Sequence, residues 1–315
     1  ATCFETDTPT DEMTRLRQFI FERPAPSLES IDYMGTTTTF REFQGTYRTP
    51  NFQVGEKPYE AEGGAFAFEE DGTPIVQFEE EMRFVMMVPT IFGQPEGGWP
   101  VVLYAHGTGG DYLSCKSSVA SDLIKSGMAL ICIEQPLHGA RGFNDNPTWF
   151  LDLYSFNFLN PQAGRSIFRQ SAADTITLIR MLSSGSLDIS SEDTEYDGTL
   201  EFDPSQIHFF GHSQGGLSGA LVLGVEPLIL SAVISGAGGV LLETLLRRKD
   251  VVDFEALVRN LLEAPEKTFN AFHPAMSLIQ MLVDVTDPVN YAQYWINPME
   301  GGSPKHVFIT EGIHD

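Results

Sequence analysis

No apolar run in this sequence approaches the ~20 residues that a membrane-crossing helix needs, so no membrane span is expected. Basic residues are scarce: 19 Lys and Arg stand against 43 Asp and Glu, a net charge of −24. A field of that sign repels phosphate backbones and anionic bilayers, which argues against nucleic-acid binding. There is no H-E-x-x-H and no paired-cysteine motif, so no metal and no metal cofactor are expected. There is no G-x-x-x-x-G-K-S/T, and no G-x-G-x-x-G at a strand-to-helix turn, so a nucleotide enzyme is not expected either. Cysteine is sparse. Cys3, Cys115 and Cys132 are an odd number without metal-ligand spacing. Cys132 lies in the apolar run Ala129 to Ile133 and is expected as a buried free thiol. Cys3 would pair with Cys115 if the protein is exported. The chain opens Ala1-Thr2-Cys3 without an initiator Met, as though a leader had been removed, which suggests a secreted or periplasmic location.

What is present suits a soluble globular protein. The 315 residues are 42% hydrophobic and 20% charged, enough for one large domain or two small ones. Residues 1–80 read as an N-terminal extension. A short helix is expected over Thr10 to Phe21, then short β pieces such as Thr37 to Phe43 and Ala65 to Phe68, with a tight turn at Asp71-Gly72. Met82 to Val88 is a strong strand. From there strand and helix alternate, which predicts an α/β fold: a mostly parallel sheet with helices on both faces. The expected strands are Val101 to Tyr104, Met128 to Ile133, Ile207 to Phe210, Leu228 to Ser235 and His306 to Thr310. The expected helices are Ser114 to Lys125, with Val119, Leu123 and Ile124 inward, and Arg165 to Leu182. Gly142 to Asn160 and the acidic stretch Ser190 to Asp203 read as loops. Residues 237–300 are too long for one crossover helix and read as a helical cap over the site.

One stretch organises the rest: Phe209-Phe210-Gly211-His212-Ser213-Gln214-Gly215-Gly216. An apolar strand runs into G-x-S-x-G and then a small-residue helix. Such a turn forces the serine into a strained backbone conformation and exposes its hydroxyl off the sheet edge. Ser213 is therefore the candidate nucleophile. The N–H of Gln214 opens the following helix, where donors are unpaired and the dipole favours negative charge. A second donor is expected after strand Val101 to Ala105, in His106-Gly107-Thr108-Gly109-Gly110, through the Thr108 backbone N–H, with its hydroxyl as a further donor. Gly107, Gly109 and His212 flank these donors and are expected to touch substrate.

His106 to Gly110 together with Gly211 to Gly216 resembles the α/β-hydrolase superfamily, and within it the serine esterases and lipases. The resemblance covers about residues 82–315. Thr108 and Gln214 match a lipase pattern in which a Gly-Thr-Gly loop and a Ser-Gln-Gly-Gly elbow supply the oxyanion donors. It implies that the catalytic acid follows the strand after the cap and that the histidine comes last. Asp315 fits the acid; Asp284 and Asp287, in or beside the cap, are weaker candidates. No histidine follows Asp315. The expectation is therefore a C-terminal strand and helix missing from this chain, with the histidine on a second polypeptide from the same precursor. The implied activity is hydrolysis of a small-molecule or lipid-like carboxylic ester through an acyl-enzyme on Ser213, without a cofactor. The alternatives are a peptidase or thioesterase on the same scaffold, or a non-catalytic binding module that has lost its histidine.

Overall fold

The computed structural model describes residues 8–142, 153–157, 160–184, 186–189, 198–247, 249, 253–265, 269–270, 272–299 and 301–311. Among them, strands β1 (Leu28–Thr36), β2 (Phe40–Asn51), β3 (Phe78–Pro89), β4 (Trp99–Ala105), β5 (Ala129–Ile133), β6 (Ser186–Asp188), β7 (Thr199–His212), β8 (Ile229–Ser235) and β9 (His306–Thr310) form one sheet. The order across it is β1-β2-β3-β5-β4-β7-β8-β9, and β6 pairs with the start of β7. The block β5-β4-β7-β8-β9 is parallel throughout. β1, β2 and β3 are antiparallel, and β3 joins the block antiparallel to β5.

Alternation along the strands separates two cores. Phe84, Met86, Val101, Leu103, Ala129 and Ile131 face one side. There they meet helices α1 (Asp11–Glu22), α3 (Pro161–Leu182) and α4 (Gln214–Val225). Val85, Met87, Val102, Leu130 and Cys132 face the other side, under α2 (Ser118–Lys125). The helices thus lie on both faces. Helix α3 starts where Pro161 fixes the first turn and Asn160 Oδ1 accepts from the Ala163 N–H at 3.3 Å. It is buried nearly all round, as a helix in the middle of a layered fold must be.

After β8 come α5 (Leu241–Arg247), α6 (Phe254–Leu261), α7 (Pro274–Val283) and α8 (Pro288–Ile296). The first three form a separate apolar cluster that seats on Phe168 of α3 and Leu217 of α4. Helix α8 instead joins the main core: Tyr291 is fully buried and Trp295 Nε1 donates to the Ala220 carbonyl at 3.1 Å. Leu261, Leu262, Phe272, Leu278 and Met281 are exposed around α6 and α7.

Several expectations need correction. β1 and β2 are long strands rather than short pieces, because bulges at Leu28/Ser30 and Tyr33/Gly35 interrupt the alternation without ending the ladder. β7 begins at Thr199, inside the expected acidic loop. Pro204 is accommodated where the register to β4 shifts between Trp99 and Val101. α2 starts at Ser118, not Ser114. The Asp111 and Ser114 side chains bond the backbone of the preceding turn, at 2.9 Å from Leu113 N and 2.8 Å from Asp111 N, and so compete with the helix. Val119, expected inward, is exposed. Cys132 is not a free thiol, and Cys115 does not await Cys3: Cys115 and Cys132 form a disulfide with Cα atoms 6.4 Å apart. Cys3 lies outside the described residues, as do most of the aromatic loop and residues 190–197 of the acidic loop.

Candidate active site

Ser213 sits between β7 and α4 with φ 51° and ψ −118°. A non-glycine residue in such a conformation costs about 1–3 kcal/mol and persists only where the surroundings hold it. They do so here. The Ser213 N–H donates to the Ser235 carbonyl at 2.8 Å, and its own carbonyl accepts from Gly216 and Leu217 at 2.9 and 3.1 Å. Gly215 lies so close to β4 that a Cβ there would overlap the Ala105 carbonyl oxygen. A side chain on Gly107 would come within 3.1 Å of Ser213 Cβ. The elbow and the loop after β4 are therefore in direct contact, as the two motifs required.

Gln214 is the first residue of α4, so no helical carbonyl precedes it to take its N–H. The Thr108 N–H likewise has no hydrogen-bond partner among the described residues. The Thr108 hydroxyl donates to Gln214 Oε1 at 3.0 Å. A hydroxyl has one proton to give, so the expected second use of this hydroxyl as an oxyanion donor is corrected: it braces loop against elbow. The Gly109 N–H donates to His138 Nε2 at 3.0 Å, so Gly109 shapes the loop and has no amide to offer a substrate. Gly107 packs on the elbow, and His212, the last residue of β7, is exposed beside it.

The histidines of the strand ends are committed elsewhere. His106 Nδ1 bonds the Gly107 carbonyl at 2.7 Å and Nε2 accepts from the Gln135 N–H at 3.0 Å. Burial, with His138 beside it, pushes His106 down to about 4. Burial also lowers His138. Both rings are thus neutral hydrogen-bond brokers. Among the described residues no histidine bonds Ser213 Oγ. His208 bonds Ser231 Oγ at 2.8 Å, and His273 caps α7.

Asp287, one of the weaker acid candidates, is fully buried and structural. It accepts from Leu241 N at 2.7 Å, from Gln280 Nε2 at 2.8 Å and from Val289 N at 3.0 Å. Asp284 accepts from Gln280 Nε2 at 2.8 Å. Asp315 lies outside the described residues. The strand that leads to it is placed: Thr310 of β9 pairs with Ser235, which pairs with His212. The chain therefore leaves β9 level with the elbow and two strands away, about 10 Å.

His138, Gln135 and Arg141 were not among the sequence candidates. Their only signal is the turn Gln135-Pro136-Leu137-His138-Gly139 directly after a buried strand. The apolar cluster beneath α5 to α7 includes Leu217 of α4, and a cleft between those helices and α3 is lined by Phe156, Phe168, Leu241, Phe254 and Val258. Arg165 borders it, and its Nη1 donates to the Leu282 carbonyl at 3.3 Å.

No family model and no curated protein matches the sequence. Solved structures do match. An acetyl xylan esterase from a Paenibacillus species aligns with a TM-score of 0.57 at 15% identity, over 100% of this chain and 91% of that one. Acetyl Xylan Esterase 1 from a Thermoanaerobacterium species aligns with a TM-score of 0.51 at 12% identity, over 97% and 89%. The chain has the α/β-hydrolase fold. At these identities the likeness is one of fold, and residue roles rest on the geometry above. In an α/β-hydrolase fold, as in open α/β sheets generally, the working crevice lies outside the carboxyl ends of the parallel strands. Ser213, Gln214, Thr108 and His138 all follow such ends.

Proposed function

We propose that this protein is a serine hydrolase of carboxylic esters. The observation that carries the reading is the backbone of Ser213, strained between β7 and α4 and pressed against the Gly107 loop. Backbone strain of this kind clusters at functional sites, which supports the reading. Ser213 Oγ attacks the ester carbonyl. The backbone N–H groups of Thr108 and Gln214 receive the oxyanion. A histidine outside the described residues takes the serine proton and returns it to the leaving alcohol, and Asp315 orients that histidine. Water then cleaves the acyl-enzyme by the same steps.

Of the helices of residues 237–300, α5 to α7 act as a cap, while α8 belongs to the main core. The apolar cleft under α5 to α7 supports an apolar acyl or alcohol part, and the exposed leucines of α6 and α7 suit an apolar substrate surface. The Cys115–Cys132 disulfide supports an exported protein.

The test is intact and peptide mass spectrometry after treatment with a fluorophosphonate, for the protein and for Ser213→Ala. A single adduct on the peptide carrying Ser213, absent from the variant, is expected. Turnover is then compared across acetyl esters (acetylated xylan among them), longer acyl esters, thioesters and peptide amides. An adduct elsewhere, or amide turnover exceeding ester turnover, would overturn the reading.

A further inference from the structure

Leu137 is a buried leucine with φ 64°, a left-handed conformation that a branched side chain adopts only under constraint. Two residues on, Gly139 has φ 51°, and a Cβ there would overlap Glu134 Oε1. The turn after β5 is therefore strained at Leu137 and takes at Gly139 a shape with room for glycine alone. Arg141 does the holding. Its guanidinium donates to Asp174 Oδ2 at 2.7 Å, to Glu80 Oε2 at 2.9 Å and to the Glu134 carbonyl at 2.9 Å, all buried. Ala140 N donates to Glu134 Oε2 at 3.2 Å, and Glu134 pairs with Arg83.

What this turn presents is His138. Its Nδ1 bonds the Pro136 carbonyl at 2.9 Å, which fixes the tautomer and leaves Nε2 as an acceptor. Nε2 then accepts the Gly109 N–H. The loop it grips contains Gly107, Gly109 and Gly110, and so has little conformational preference of its own. Fixing the Gly109 amide fixes the Thr108–Gly109 peptide plane and so limits how the neighbouring Thr108 N–H, which has no partner among the described residues, can turn.

We propose that His138 is a positioning residue for the oxyanion loop: the strained turn after β5 exists to hold its Nε2 against Gly109. The kinetic consequence rests on the ester-hydrolase reading; the clamp itself does not.

The test compares the protein with His138→Ala and His138→Gln. Glutamine's Oε1 can accept the same N–H. Loss of the clamp in the alanine variant is expected to lower kcat about 10- to 100-fold with KM within about threefold, since a misplaced oxyanion donor acts in the transition state. Glutamine should recover a large part of that loss. In parallel, amide hydrogen exchange at Gly109 should lose protection in the alanine variant and regain it with glutamine. This second readout needs no turnover. Protection lost in a protein that hydrolyses no ester would sustain the clamp and sink the ester reading. An alanine variant that keeps Gly109 protection, or keeps kcat within about twofold in an active enzyme, overturns the proposal. So does a glutamine variant no better than alanine at equal thermal stability.

Discussion

Arg141→Met tests a buried polar contact. The substitution replaces a guanidinium that is 2% exposed with an apolar side chain of similar length. Glu80 keeps its ion pair with Lys57 and the amide of Asn51 at 3.0 Å. Asp174 keeps Thr49 Oγ1 at 3.1 Å and Gln170 Nε2 at 3.0 Å, but forms no other ion pair among the described residues. Removing one partner of a buried charge pair costs about 3–5 kcal/mol, because the other charge is left uncompensated. Burial already raises Asp174 above the usual carboxylate range, with Arg141 pulling it down. Without Arg141 it rises further. In the variant the folded state then binds this proton more tightly than the unfolded chain. Its penalty is therefore largest at pH 7 and shrinks as pH falls, by up to about 1.4 kcal/mol per unit. Glu80 loses the same partner and rises too, so its share of the pH dependence runs in the same direction. Burial opposes its ionisation, but Arg141 and Lys57 override burial and hold it at about 2 in the native protein. What Glu80 contributes is present above its ordinary range and is lost only as pH falls from there towards 2. Urea unfolding of the protein, Arg141→Met and Arg141→Met/Asp174→Asn at pH 7 and pH 5.5 gives the answer. The single variant should lose about 3–5 kcal/mol at pH 7 and less at pH 5.5. Adding Asp174→Asn should return about 1–2 kcal/mol at pH 7, since it removes the stranded charge. A loss below about 1 kcal/mol, or one of equal size at both pH values, would refute the reasoning.

Gly215→Ala places a Cβ against the Ala105 and His106 carbonyl oxygens, which are backbone and cannot yield cheaply. A loss of about 1–3 kcal/mol in urea unfolding is expected, with phosphonate labelling of Ser213 slowed by about 100-fold. Labelling at the wild-type rate would show that elbow and loop are not in the contact described. Reducing the Cys115–Cys132 bond, whose ends are 17 residues apart, should lower stability by about 3 kcal/mol. The Cys115→Ala/Cys132→Ala variant should then show no further response to reductant, and a response equal to the native protein's would place the bond elsewhere.

The strand–turn–helix at Ser213 and the glycine loop packed against it were legible because each is contiguous. A nucleophile elbow needs Gly-x-Ser-x-Gly in one stretch, and Gly107 and Gly215 are glycine because two backbones meet there. The parallel block was legible for a related reason: apolar runs of strand length separated by helical periodicity leave few topologies. What could not be read depends on partners distant in sequence. Cys115 and Cys132 pair because the turn before α2 lies over β5, and nothing in the local pattern of either residue says so. Thr108 reads as a free hydroxyl until Gln214 is placed 3.0 Å away. His138 reads as a histidine after a strand until Gly109 is brought to it. Pro204 reads as a loop residue because its exemption, a register shift against β4, exists only in the assembled sheet.

Sheet order explains why these long-range partners converge. β4 lies between β5 and β7, so the loop after β4 is flanked by the turns that leave both neighbours. On the β7 side is the elbow, with Ser213 at φ 51°; on the β5 side is the clamp turn, with Leu137 at φ 64°. Two non-glycine residues in left-handed backbone thus face the same glycine-rich loop from opposite sides. Each is fixed by its own anchor: the Ser235 carbonyl for the elbow, and the carboxylates around Arg141 for the clamp. A loop without conformational preference becomes rigid when both flanks are rigid, and strain in the flanks is the cost of aiming them. Neither flank alone would suffice. The elbow fixes Thr108 through Gln214, the clamp fixes Gly109 through His138, and in the proposed mechanism the donor left to meet a developing negative charge is the Thr108 N–H, in the peptide plane just before the clamped one.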